Sequence, residues 1–183
     1  MKKADKNGML DNQVSRFFLT IAFPGSKQVF LIISFANEVI DGIEFSSESA
    51  LASKRNVFTN SFTKKVQTEF DAYFSNPDYL FSLTCNLQQG TAFQQRVWQA
   101  LTEIPAGQVK TYGTLAQELN SSPRAVGNAC RNNPFPLLVP CHRVVSASGI
   151  GGYAGDTLTT QKGKINYLQI KQWLLMHEKA KTE

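Results

Sequence analysis

The stretch "LVPCHRVVSASG", residues 138–149, sets a thiol, an imidazole and a guanidinium side by side at Cys141, His142 and Arg143. Pro140 fixes φ and removes an N–H just before the cysteine, so it directs the chain that presents the thiol. An unperturbed thiol has a pKa of about 8.5, and only its thiolate is the nucleophile. Closing a gap of about 1.5 units is worth roughly 2 kcal/mol, within reach of one well-oriented imidazole. The electropositive neighbours fit two readings, a site where a thiolate persists or an accident of packing. Adjacent side chains rarely point the same way, so His142 is expected to act on Cys141 through a water. A carboxylate is then wanted to hold the imidazole tautomer. Near the C-terminal end, "KQWLLMHE" offers Glu178, two turns from Lys171 on the same helix face.

Composition bounds this chemistry. The three cysteines, Cys85, Cys130 and Cys141, are odd in number and lack CxxC spacing, which argues against a disulfide framework and for a reducing compartment. Cys130 reads as a small buried hydrophobe. With only His142 and His177 beside them, a four-ligand zinc site is not expected, and no metal or cofactor is called for. Hydrophobic residues make up 42% and charged residues 18%, as in ordinary globular chains. Lys2 and Lys3 precede the apolar run "FFLTIAF", but Asp5 and Asp11 interrupt and no small-residue cleavage site follows, so the run reads as a strand rather than a signal. No stretch approaches membrane-span length, and a cytoplasmic location is expected. Residues 1–88 carry nine basic and nine acidic groups; residues 89–183 carry ten and five, so the whole +5 lies in the C-terminal half. That asymmetry fits an anionic partner such as nucleic acid, or simply a basic soluble surface.

The elements that must position these residues can be read in order. "RFFLTIAF" and "QVFLIISFANEVIDGIEF" are β-rich, with "PGSK" as a turn between them. "FTKKVQTEFDAYF" places Phe62, Val66, Phe70 and Phe74 at four-residue steps, a helical stripe that "SNPD" ends. "YLFSLTCNL" is a short strand or an extended linker. From Gly90 the character changes: Thr91 and Gln94 form a capping box for a helix carrying Phe93, Val97 and Leu101 on one face. "IPAGQVK" breaks it, Thr111 caps "YGTLAQEL", "NSS" turns the chain, and Pro123 opens "PRAVGNACR" as its first helical residue. The pair has a helix-turn-helix pattern. In its second helix Val126, Ala129 and Cys130 share an inward face; Arg124, Gly127, Asn128 and Arg131 share the other. A mid-helix glycine costs about 1 kcal/mol against alanine, so Gly127 needs a reason: a nucleic-acid backbone too close for a side chain, or tight packing within the protein.

"NPFPLLVPCHRVV", followed by "GGYAG" and "WLLMHE", strongly resembles the O6-alkylguanine-DNA alkyltransferases, also called methylated-DNA–protein-cysteine methyltransferases. The resemblance runs back through "GTAFQQRVWQALTEIPAGQVKTYGTLAQ" and "RAVGNACRNNP" and covers about residues 89–178. It implies an α+β chain: an N-terminal domain over 1–88, a small β-sheet plus helix of ribonuclease-H-like kind, and a mostly helical, winged-helix-like domain over 89–183 holding the helix-turn-helix. It implies a monomer that binds double-stranded DNA containing O6-alkylguanine and moves the alkyl group from the flipped base to its own cysteine, with O4-alkylthymine as a further candidate substrate. By motif position Cys141 is the nucleophile, His142 activates it through water, Glu178 completes the triad, and Asn133 fixes the turn presenting the thiol. Tyr112 donates toward N3 of the guanine. Arg124 enters the stack in place of the flipped base, Ala125 and Gly127 permit minor-groove approach, and Asn128, Val144 and Tyr153 join the substrate- and DNA-binding set. Lys171 is placed near the reacting oxygen.

Two departures stand out. Ala154 occupies a position where many relatives have serine, but the contact expected there is a backbone N–H to O6, which alanine supplies. "DTLTTQKGKINYLQI", residues 156–170, is longer than the usual link before "WLL"; it is an extra DNA contact through Lys162 and Lys164 or, as the favoured expectation, an extended helix start. Alkyltransferase-like binding proteins lack the cysteine of the PCHR motif, which Cys141 supplies here. A Cys–His hydrolase needs an oxyanion hole that nothing in the sequence suggests, and a purely structural helix-turn-helix binder leaves the PCHR run unexplained.

Overall fold

The structure, a computed structural model, describes residues 15–21, 29–46, 60–155 and 165–179. The "PGSK" turn, the residues before Ser15, and Lys162 and Lys164 lie outside the described residues.

Strands β1 (Ser15–Ile21), β2 (Val29–Ala36) and β3 (Val39–Ser46) form an antiparallel sheet in the order β1-β2-β3. Their register follows from side-chain alternation, which puts every second residue on one face. Phe17, Ile33 and Ile43 lie opposite one another in one row, and Leu19, Leu31 and Phe45 in the next; all six are buried. The β2–β3 turn holds Asn37 and Glu38 at φ 50° and 62°, the left-handed pair that a tight two-residue hairpin requires.

Helix α1 (Ser61–Ser75) packs its apolar stripe into the core behind an Asn60/Thr63 capping box. Its buried face differs from the stripe expected from four-residue steps: Phe62, Val66 and Phe70 are buried, but Tyr73 replaces Phe74 at the C-terminal end. Four-residue steps overrun a 3.6-residue turn, so by the third step the inward direction has passed to i+3. Residues 79–86 form no helix or ladder strand and make one parallel bridge, Ile40 to Cys85, flanked by hydrogen bonds from Ile40 N to Thr84 O and from Asn86 N to Ile40 O, before Leu87 turns the chain.

The Thr91–Gln94 capping box opens α2 (Ala92–Thr102) as expected. Strand β4 (Lys110–Thr111) runs directly into α3 (Tyr112–Glu118), which Thr111 caps. Asn120, at φ 49°, ends α3 in a Schellman arrangement with Ser121 N bonded to Ala116 O, and Ser122 then caps α4 (Pro123–Arg131) with Pro123 at its first position. The helix-turn-helix is therefore present. Trp98 Nε1 donates to Ala129 O and ties α2 to α4. Cys141–Arg143 form a single 3₁₀ turn that leads into β5 (Val144–Val145), and β5 pairs in parallel with β4. Helix α5 (Tyr167–His177) starts from an Asn166 cap, so the expected helix extension covers only residues 167–170 of the long link. One contiguous apolar core runs from Phe17 through Phe70, Leu101 and Val126 to Leu174. Among the described residues no helix is long and apolar enough to cross a membrane.

Candidate active site

The two-residue pairing of β4 with β5 places Tyr112, at the start of α3, beside the strand that leaves Cys141. Asn133 sets the approach from the other side. Its Nδ2 donates to Val139 O at 2.7 Å and to Cys141 Sγ at 3.1 Å, while its Oδ1 accepts from Phe135 N at 3.0 Å. One amide thus spans the turn "NPFPLLVPC" and ends on the thiol.

Cys141 is 6% exposed, and burial pushes its thiol pKa up; the hydrogen bond from Asn133, the Lys171 charge and the Tyr153 hydroxyl work in the opposite direction. Burial thus favours the thiol over a persistent thiolate. The Arg143 guanidinium does not face the sulfur: Nε and Nη2 donate to Glu178 at 2.9 and 2.8 Å, and Nη1 donates to Ile104 O. The resting group is a thiol that needs a base.

That base is adjacent. His142 is fully buried, and its Nε2 lies 3.0 Å from Glu178 Oε1. Burial lowers the His142 pKa, against the hydrogen bond and charge of Glu178, so the ring is neutral near neutral pH. Burial works against ionisation of Glu178, but the hydrogen bonds and charges of His142 and Arg143 hold its carboxyl well below the usual carboxylate range. An ionised Glu178 only accepts, so Nε2 carries the imidazole proton and Nδ1 carries the lone pair. His142 Nδ1 is buried and has no hydrogen-bond partner among the described residues. It is an open proton acceptor next to the cysteine.

A cavity of about 240 Å³ opens over the thiol, walled by Tyr112, Gly127, Cys130, Arg131, Tyr153 and the glycine loop 152–155. Tyr112 hydroxyl donates to Gly152 O at 3.3 Å, and Lys171 Nζ donates to Gly152 O and Val144 O at 2.9 and 2.7 Å. Burial pushes the Tyr112 pKa up, helped by the Cys130 and Cys141 thiols, so this wall stays a hydrogen-bond donor. Burial brings Lys171 down to about 8, against the pull of Cys141 and Cys130. Gly151 has φ 71°, and a Cβ there would come within 3.1 Å of both Ser146 N and the Tyr112 ring, so glycine is required for the loop to lie against Tyr112. Tyr153 is buried and also lines a neighbouring cavity of about 310 Å³ between Cys141 and β3.

The structure thus gathers Cys141, His142, Glu178, Asn133, Tyr112, Tyr153, Val144 and Lys171 around one site, with the exposed Ala154 on its rim. Arg124 and Asn128 are exposed on the outer face of α4, away from the sulfur, and Ala125 is half-buried there. Arg124 shares a shallow depression with Tyr112, Gly127 and Ser146. One site residue escapes the sequence reading, Tyr73, while Arg143, read there as an electropositive neighbour of the thiol, serves Glu178 instead. Tyr73 hydroxyl donates to Glu178 Oε1 at 2.8 Å. The signal that could have found Tyr73 is the 3.6-residue drift of the α1 stripe.

Residues 92–180 match the family described as "6-O-methylguanine DNA methyltransferase, DNA binding domain". A methylated-DNA–protein-cysteine methyltransferase of Thermococcus kodakarensis is 32% identical over 167 residues, 81% of this chain and 94% of that protein. The chain belongs to this family. The methylated-DNA–protein-cysteine methyltransferase of Thermococcus barophilus is 40% identical over 141 residues, covering 67% of this chain and 79% of that protein. A crystal structure of the Mycobacterium tuberculosis OGT in complex with DNA superposes with TM-score 0.64 at 30% identity, over 88% of this chain and 92% of that one. The family's matched span opens at the first residue of α2 and closes just beyond Glu178, so it holds Cys141, His142, Glu178, Asn133, Tyr112 and Lys171 but not Tyr73.

Proposed function

We propose that this methyltransferase repairs DNA directly and once per molecule, taking an alkyl group from O6-alkylguanine in a duplex onto Cys141. The observation that carries the reading is the buried Cys141 thiol beside an imidazole whose Nε2 is held by Glu178 and whose Nδ1 is left open. The flipped base occupies the cavity against Tyr112. As the thiol attacks, its proton passes through one water to His142 Nδ1, and the imidazolium formed is stabilised by Glu178. The S–C bond forms as the C–O6 bond breaks, and that electron pair leaves with the purine. Tyr112, kept protonated, donates toward N3, and the Ala154 N–H and Lys171 face the oxygen that gains charge. Asn133 holds the sulfur in line.

Helix α4 is the reading element. Arg124 fills the gap in the stack, Ala125, Gly127 and Asn128 line the close approach, and the positive C-terminal half supplies the phosphate contacts. The chain is read as a cytoplasmic monomer with two topological units, a ribonuclease-H-like one over 1–88 and a winged-helix-like one over 89–183. The test is intact mass spectrometry after mixing the protein with a duplex carrying O6-methylguanine. One methyl replaces one proton per chain, and the label maps to the Cys141 peptide. Label on Cys85 or Cys130, or several turnovers per chain, overturns the assignment.

A further inference from the structure

We propose that Tyr73, from the N-terminal half, is a positioning residue of the transfer site, setting the basicity of His142 through Glu178. The inference rests on the function proposed above. Tyr73 is 1% exposed and grips two successive residues of the opposite half. Its hydroxyl donates to Glu178 Oε1 at 2.8 Å, and its backbone carbonyl lies 2.9 Å from His177 Nε2. This two-point clamp joins the last turn of α1 to the C-terminal end of α5, where Glu178 caps the helix. The His177 ring is further sandwiched, stacked on Trp173 at 4.8 Å and edge-on to Tyr73 at 5.3 Å, so the clamp has little freedom to turn.

The clamp bears on chemistry through the count of donors. Glu178 Oε1 takes Tyr73 hydroxyl, His142 Nε2 and Arg143 Nη2, and Oε2 takes Arg143 Nε. Each donor draws electron density from the carboxylate and weakens its hold on the imidazole proton. The Tyr73 hydroxyl also turns its positive end toward the pair. Removing it leaves Glu178 more negative toward His142, so the imidazole becomes the stronger base. Among the described residues, the charged and titratable groups facing this pair are Arg143 on the 3₁₀ turn, Lys171 on α5 and Tyr73 on α1, and Tyr153 on the glycine loop faces Tyr73 and Cys141 instead. Arg143 and Glu178 stay paired without Tyr73, and the carboxylate therefore remains an anion.

The experiment uses the full chain and its two histidines. In Tyr73→Phe, ¹⁵N NMR of His142 should show its pKa raised by about half a unit to one unit, with Nε2 still protonated in the neutral ring. The acid limb of the single-turnover rate with free O6-benzylguanine should move up by the same amount. Cys141 should still be alkylated to one equivalent, which separates this inference from the assignment of the acceptor. A merely structural Tyr73 lowers the melting temperature and leaves both titrations in place; that result overturns the proposal. Should Tyr73→Phe fold poorly, 3-fluorotyrosine at position 73, a stronger donor, should move the His142 pKa downward, and no movement again overturns it.

Discussion

At the scale of single residues, the site works with groups whose charges are set by burial and by neighbours in opposition. His142 is neutral because a buried imidazolium is costly, yet Glu178 waits beside it as a permanent anion. The arrangement makes proton transfer from Cys141 favourable only when the sulfur is already bonding to carbon. It also has a cost in acid. The His142 pKa lies below its ordinary 6.5 in the folded chain, so the unfolded chain binds the extra proton first as pH falls. Stability present above pH 6.5 is therefore lost as pH drops toward the depressed folded value, with a slope of at most about 1.4 kcal/mol per unit. Glu178 has the same sign: its contribution is present above 4.5 and is lost as pH falls further. Urea denaturation at successive pH values should show a decline that begins below 6.5 and steepens below 4.5. In His142→Phe the first stage should be flattened. A wild-type stability that stays level from 6.5 to 4.5 excludes a buried neutral histidine.

At the scale of elements, α4 raised two explanations for Gly127, and its surroundings now separate them. A Cβ built at Gly127 meets only the Tyr112 ring, at 3.9 Å, which is ordinary contact. Packing within the protein does not require the glycine, and Gly127→Ala should raise free-protein stability by up to about 1 kcal/mol through helix propensity. If the outer face of α4 lies against DNA, the same change should weaken duplex binding several-fold. Arg124→Ala, on the same face, should slow repair of duplex DNA far more than reaction with free O6-benzylguanine, because only the duplex has to be opened. Equal losses on both substrates would assign Arg124 to the fold. Much of this element was readable beforehand: Thr91, Thr111 and Pro123 announce three helix starts, and the apolar positions of α4 give its buried face. Contacts between distant segments were not. Nothing local in "FDAYF" says that Tyr73 reaches Glu178, 105 residues on, and nothing in "CHR" says that Arg143 turns from the thiol to the carboxylate. Both depend on the direction in which a turn aims its side chains, and that direction is set by packing.

At the scale of the whole molecule, the apolar core runs across residue 88 without a break. Ile43 N donates to Pro134 O at 2.8 Å, joining β3 to the loop that carries Asn133, and Tyr73 joins α1 to Glu178. Trp173 of α5 packs on Phe74 of α1 with ring centres 5.8 Å apart. The two parts therefore share apolar surface and site hydrogen bonds, and neither can open without exposing the other. The chain has two tryptophans, Trp98 and Trp173, both in the C-terminal half, whereas the three-stranded sheet lies wholly in the N-terminal half. Tryptophan fluorescence consequently reports the C-terminal half alone, whereas far-ultraviolet circular dichroism sums over both parts, because four of the five described helices also lie in the C-terminal half. In urea the two signals should fall in one coincident transition, as two-state unfolding demands. Phe70→Ala, which empties a fully buried N-terminal position, should cost about 3–5 kcal/mol and move both midpoints together. A partial loss of the dichroism signal at lower urea, with tryptophan fluorescence still native, would mean that the N-terminal part unfolds by itself. The Tyr73 clamp would then be too weak to hold Glu178 from that side.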